Sequence, residues 1–347
     1  MQRTHLSARF KLALLGLLSA ALCSAPALAN DSTAELSVGG LTFKQTADVS
    51  MESEELIITG DNVTVRYKFL NQTAAPVTLQ IAFPLPDIDL SDAENIAIPA
   101  SDPVNFMGFQ TRIDGKPVQF SISQRAYLGD KDVTQAIKAA NLPLLPLGGH
   151  EEKIAALPQP LRDKLLNDGL IAQSGSNEQG QPIHAGAWLV KTAVVRQQVF
   201  PVGKVVDVEH RYKASVGVSF DSVLRKAVRE SKGMEKQFQR YRADYCVPDE
   251  LLRGLDRMTG SADANTVKLM ERRISYVLKT GANWAGPIKD FRLVVDKGKA
   301  DTMTAFCADN VKRISPTAFE VRAQNFTPER DLKILFISKR NPDPSGR

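Results

Sequence analysis

Past the first 29 residues the chain holds three histidines, His150, His184 and His210, and two cysteines, Cys246 and Cys307, beside a large pool of carboxylates. These types could hold a metal, activate a nucleophile or work as acid and base. A metal site needs ligands at tight helical or hairpin spacing. The nearest match is His150-Glu151-Glu152, after the turn LPLGG, and adjacent residues on a loop read more readily as solvated charges. His184 shows no partner. His210 alternates with Val206, Val208 and Tyr212 in VVDVEHRYK and reads as a satisfied, partly buried strand histidine rather than a base. The sequence carries no GxSxG elbow, phosphate-binding glycine loop, HExxH or CxxC. A hydrolase needs paired carboxylates or an activated nucleophile brought together by the fold. Glu54-Glu55 and Asp87/Asp89 supply acids, but 39 acidic residues yield such pairs by chance. No catalytic residue, metal ligand or cofactor site is assigned.

Two stretches remain as candidate contacts. TGANWAGPIKDF (280–291) joins two strand patterns and packs two glycines, a proline, Asn283 and Trp284 into twelve residues. It holds no nucleophile and reads as a structured connection, with Asn283 and Trp284 the ligand contacts if it binds anything. Residues 225–243 hold seven basic and two acidic side chains. That run is either a solvated helix face or, through Arg225, Lys226 and Arg229, a contact for an anionic surface or partner.

The elements that would position these residues are mostly strands. Val63, Val65, Tyr67 and Phe69 alternate with Thr64, Arg66 and Lys68, the period of a half-buried strand. Asp114-Gly115 sits between two strand patterns as a hairpin turn. Residues 131–170 turn helical: DVTQAIKAAN has Asp132 as a candidate N-cap, and PQPLRDKLLNDG has Pro160 near its start and Gly169 past its end. QSGSNEQGQP (173–182) reads as a loop or linker. Residues 225–258 are helical again, with Pro248 at a helix start, and the last third returns to strands. The fold class is mainly β with helical insertions, in two antiparallel β-sandwich-like domains. Residues 30–182 form the first, with an insert at about 131–170; 183–338 form the second, with an insert at about 225–258; 339–347 form a disordered tail.

The first 29 residues read as a secretory leader. A basic segment with Arg3, Arg9 and Lys11 precedes an apolar run, and Ala27-Leu28-Ala29 is a small-x-small cleavage site. Removing those three cations leaves 41 basic against 39 acidic residues, so the net charge falls from +5 to +2. The basic balance is therefore no argument for nucleic acid. No later apolar stretch reaches the roughly 20 residues of a membrane span. In an exported protein the lone pair Cys246 and Cys307 is expected to form a disulfide, two separate buried thiols being the alternative.

Several segments, in order, resemble an exported bacterial family catalogued as domain of unknown function 4424: NDSTAELSVGGLTF, IAFPLPDI, NFMGFQTRIDGKPV, VFPVGK with VEHRYKASVG, Tyr245-Cys246, TGANWAGPIKDFRLVVDKG, AFC at Cys307 and NFTPERDL. The resemblance covers essentially all of the chain after the leader. It implies a periplasmic protein of Gram-negative bacteria and implies no activity. More loosely, VRYKFLNQTAAPVTLQIAFPLP, GFQTRIDGKPV and QRAYLGDKDVTQAIKAAN resemble the vault/inter-alpha-trypsin type of domain, a β-sandwich of extracellular and assembly contexts. The expectation is a non-enzymatic binding or envelope-interaction module, whose partner is an envelope protein or an anionic surface. The alternative is a hydrolase acting on an envelope polymer or carbohydrate.

Overall fold

In the strand Asn62–Asn71, Val63, Val65, Tyr67 and Phe69 are buried while Thr64, Arg66 and Lys68 face outward. Its antiparallel neighbour Val205–Lys213 repeats the pattern, so His210 takes an inward position between Val208 and Tyr212. The computed structural model describes residues 31–37, 40–91, 96–214, 216–260 and 269–340. The expected leader, and residues 341–347 of the expected tail, lie outside them. The described chain is mainly β, with short helices in the two stretches that the sequence marks as helical.

These two strands sit in an eight-stranded sheet whose order is Lys312–Arg313, Ala318–Phe326, Ile288–Asp296, Val49–Thr59, Asn62–Asn71, Val205–Lys213, Gln110–Ile113, Lys116–Pro117. All its pairings are antiparallel except that of Ile288–Asp296 with Val49–Thr59. A seven-stranded antiparallel sheet is built around Leu189–Phe200, Val77–Pro84 and the amino-terminal strand Ser32–Ser37. A five-stranded antiparallel sheet centres on Leu332–Lys339 and Leu269–Tyr276. That strand runs one residue into the expected tail. Each of these sheets draws strands from both sides of residue 182, so hydrogen-bonded pairs cross the domain division expected there.

The apolar faces of the three sheets meet in one core, which holds Val65, Phe69, Phe83, Trp188, Val194, Tyr276, Trp284 and Phe336. A second core lies under the helices of 225–259 and holds Phe238, Leu251, Leu252, Leu255, Leu335 and Ile337. The strand Leu332–Lys339 serves both: Ile334 and Phe336 enter the first core, Leu335 and Ile337 the second. Two-sided burial explains its unbroken apolar run, where a strand with one wet face alternates.

Local signals act as the sequence suggests in several places. Asp114 and Gly115 both have positive φ, at 47° and 77°, as a two-residue hairpin turn requires. The helix Gln159–Asn167 carries Pro160 in its first turn, and Gly169 follows it at φ 70°. Pro248 is the N-cap of Asp249–Thr259. Asp132 stands one residue ahead of the N-cap Val133, and its carboxylate accepts from the Thr134 N–H at 2.9 Å. The stretch read as a loop or linker is instead a hairpin, Ile171–Ser176 with Pro182–Gly186. Almost all of its first strand is exposed, so no apolar alternation marked it.

Candidate functional site

TGANWAGPIKDF connects Leu269–Tyr276 to Ile288–Asp296 through a 3-10 turn at Lys279–Asn283. Its polar groups point at the start of the chain. Asn283 Nδ2 donates to Ser32 Oγ at 2.8 Å, and Trp284 Nε1 donates to the Asp31 carbonyl at 2.8 Å. The Thr46 N–H donates to the Asn283 carbonyl, and the Ala285 N–H to that of Val49. The Trp284 ring is 3% exposed, with its centroid 4.3 Å from that of Phe69 and Phe200 edge-on beside it. Both residues named as ligand contacts are thus spent on holding Asp31 and Ser32.

What they hold is an ionic cluster inside the core. Asp31, Arg196, His210 and Thr111 are all buried. Arg196 forks onto the Asp31 carboxylate at 2.6 and 3.2 Å, and His210 Nε2 lies 3.1 Å from it. Thr111 Oγ1 lies 3.0 Å from His210 Nδ1. One carboxylate against one guanidinium balances; a second buried cation would not. His210 is therefore neutral, with Nε2–H donating to Asp31 and Nδ1 accepting from Thr111. Burial pushes its pKa below the usual histidine value. Burial alone would raise the Asp31 pKa, but Arg196 and His210 outweigh it and hold the group below the ordinary carboxylate range.

The adjacent acids Glu54 and Glu55 face opposite sides of their strand, as strand geometry dictates. Glu54 is buried and accepts from Tyr276 Oη at 3.3 Å. Glu55 lies on the outer face, paired with Arg66 and Arg292. They cannot act on one bond together.

Of the basic run, Lys226, Lys232, Lys236 and Arg240 are exposed, Arg229 and Arg242 are half-buried and Arg225 is internal. Arg225 is 3% exposed and forks onto Asp221 at 2.6 and 2.7 Å. Arg229 forks onto Asp256, both bonds at 2.7 Å, and Lys226 is exposed. Two of the three cations named for an anionic contact thus brace the helical segment. Cys246 and Cys307 form a disulfide, tying the end of the helix Glu235–Asp244 to the strand Met303–Phe306. It closes a loop spanning 61 residues, worth about 4 kcal/mol in the chain-entropy model.

The histidine–glutamate triplet splits. His150 is buried edge-on to Trp188 and its Nε2 accepts from the Gly186 N–H at 3.1 Å. Burial lowers its pKa. Glu151 and Glu152 point the other way, into a groove of about 640 Å³ between the helices His150–Ala155 and Gln159–Asn167 and the hairpin 171–186. Arg162, Asp163, Gln181 and His184 line it too. Among the described residues no three His, Cys, Asp or Glu side chains come together as a metal set. The sequence did not reveal the groove because its far wall is the hairpin it left as a linker.

Residues 29–335 match the family described as Domain of unknown function (DUF4424). The chain belongs to that family. No curated protein matches this DUF4424 chain. Among solved structures it is similar to a Legionella pneumophila protein described as a "putative nutrient binding protein", at 14% identity and TM-score 0.43, over 89% of this chain and 70% of that one. It is also similar to a two-domain M1 zinc metallopeptidase variant bound to L-arginine, at 8% identity and TM-score 0.28, over 84% of this chain and 43% of that one. The DUF4424 chain thus spans less than half of the metallopeptidase.

Proposed function

We propose that this DUF4424 protein is an exported, periplasmic, non-enzymatic binding module that takes a polar envelope component into the groove of the helical insert. The observation that carries this reading is the groove itself. Hydrogen-bonding side chains from two separate segments, Glu151, Glu152, Arg162 and Asp163 on one wall and Gln181 and His184 on the other, face one open volume. Three carboxylates against one guanidinium favour a ligand rich in donors. The basic-then-apolar leader with its Ala27-Leu28-Ala29 site, together with the disulfide, supports export. The looser likeness of the amino-terminal half to vault/inter-alpha-trypsin type domains fits an interaction role.

The test is thermal unfolding of the chain from Asn30 with soluble peptidoglycan fragments and oligosaccharides. A ligand at a hundredfold excess over its Kd should stabilise by about 2.7 kcal/mol, and Arg162→Ala with Glu152→Gln should remove the shift. A shift unchanged in that double variant, or turnover of the added fragments, would count against the reading. Cell fractionation checks export: a cytoplasmic product with free thiols would contradict it.

A further inference from the structure

The groove of the helical insert has one wall that is a strand edge rather than a strand face. Gln181, Pro182, Ile183 and His184 all line it. Side chains of a strand alternate between its faces, so successive residues border one volume only when that volume runs along the backbone. The opposite wall includes the helix Gln159–Asn167, from which Gln159, Arg162, Asp163 and Leu166 project at the i, i+3, i+4, i+7 spacing of a single face.

The hairpin ladder fixes which backbone groups meet the groove. The Asn177 N–H donates to the Gln181 carbonyl at 2.9 Å and the Ala187 N–H to the Leu170 carbonyl at 3.0 Å, so Gln181 and Ala187 turn toward the first strand. Hydrogen-bonding direction alternates along an antiparallel strand. Ile183 and Ala185 therefore turn inward as well, while Pro182, His184 and Gly186 turn out. The Gly186 N–H agrees with this phase, since it donates away from the ladder to His150 Nε2 at 3.1 Å. Past that contact come the His184 N–H and carbonyl and the Pro182 carbonyl, which take no backbone partner among the described residues. The other strand of the hairpin is broken by a bulge at Gln173/Gly175, a device that guards an edge; the strand Pro182–Gly186 has none.

An extended peptide adds to such an edge by exchanging main-chain hydrogen bonds. A glycan chain carries no repeating row of N–H and C=O groups to match it. The volume of about 640 Å³ lies within the roughly 300–1,000 Å³ of ligand sites. Glu151, Glu152 and Asp163 outnumber Arg162 beside the edge, so the complementary side chain is basic.

We propose that the groove takes an extended peptide with a basic residue, added antiparallel as a third strand of the hairpin. The basic residue exchanges N–H and C=O bonds with His184, and its cation lies against Glu151 and Glu152. The assignment rests on the groove being the binding site, and it names the ligand there as a peptide.

Isothermal titration of the chain from Asn30 with acetyl-Ala-Ala-Lys-Ala-Ala-amide tests it, beside the same peptide N-methylated at its lysine and a tetrasaccharide of N-acetylglucosamine. The parent peptide should bind saturably, and N-methylation should weaken binding by about tenfold or more. Deuterium exchange at the His184 amide should slow in the complex. His184→Pro deletes the outward N–H without breaking a ladder bond, so it should abolish peptide binding with the melting temperature unchanged. If that variant is destabilised, the N-methylated peptide and the His184 exchange rate still decide the matter. Equal binding by the N-methylated peptide, or an unchanged His184 exchange rate at saturation, would overturn the edge pairing. Binding of the tetrasaccharide alone would overturn the peptide assignment and leave the groove as a binding site; no binding by any of the three at millimolar concentration would count against both.

Discussion

Asp31 holds its charge against Arg196 in a core with no solvent to replace either partner. Asp31→Asn keeps the shape and leaves the guanidinium unbalanced, so it should cost roughly 3 to 5 kcal/mol in urea unfolding. Adding Arg196→Met should recover much of that loss; a double variant as unstable as the single one would refute the pairing. The same region sets a pH response. His210 and His150 have lowered pKa values, mainly through burial. The unfolded chain takes up their protons below about pH 6.5, so stability falls there, by up to about 1.4 kcal/mol per pH unit for each histidine. Asp31, with its depressed pKa, adds stability that is present above its unfolded value of about 3.9 and lost only in stronger acid. Asp87 acts in the opposite sense. Burial pushes it up to about 6, so the stability it contributes is complete below about pH 3.9 and lost as pH rises through that folded value. Asp87→Asn should therefore be more stable than the parent near neutral pH and lose stability more steeply on acidification. Equal slopes in urea melts would contradict this. Sequence reading placed His210 among the apolar positions of its strand but singled out neither Asp31 nor Arg196. Nothing local marks a residue whose partners lie 165 and 179 positions away.

At the scale of elements, the connection at 279–285 acts as a clamp on the amino-terminal strand. Trp284→Ala removes a buried ring from between Phe69 and Phe200 and should cost roughly 3 to 5 kcal/mol. Trp284→Phe keeps most of the packing but leaves the Asp31 carbonyl without its donor, and should cost less. Denaturant midpoints check both, and limited proteolysis should cut Trp284→Ala earlier near residues 31–44. A Trp284→Ala loss no larger than the ~0.5 kcal/mol of a surface change would rule out the clamp. The turn itself was legible: a strand-to-strand connection in which Gly286 takes φ 78°, as its glycine permits. Its purpose was not legible, because an indole N–H names no partner.

For the whole molecule, strand alternation disclosed most individual strands but not which neighbours they take. Side-chain period fixes a strand's two faces; it is silent on pairings such as Val49–Thr59 with Ile288–Asp296, more than two hundred residues downstream. The pairing has a direct consequence for fragments. Residues 30–182 expressed alone lose one of the two partners of Asn62–Asn71 and of Val77–Pro84, and residues 183–347 lose every partner of Val205–Lys213 and Leu189–Phe200. Neither piece should show a cooperative thermal transition by circular dichroism. A sharp transition in either would restore the division at 182. On the outer face of the large sheet, Arg292, Glu55, Arg66, Glu209 and Arg112 stand in one cross-strand register row. Alternating charge of that kind keeps a broad sheet face from docking flat on another.

The strand Leu332–Lys339, shared by both cores, also bears on kinetics. Its amides lie between Met303–Phe306 and Leu269–Tyr276, with apolar packing above and below. Deuterium can reach them only when both cores open together, so their exchange clock reads the lifetime of the entire fold. The exposed hairpin at 171–186 trades its protons by fraying, far sooner.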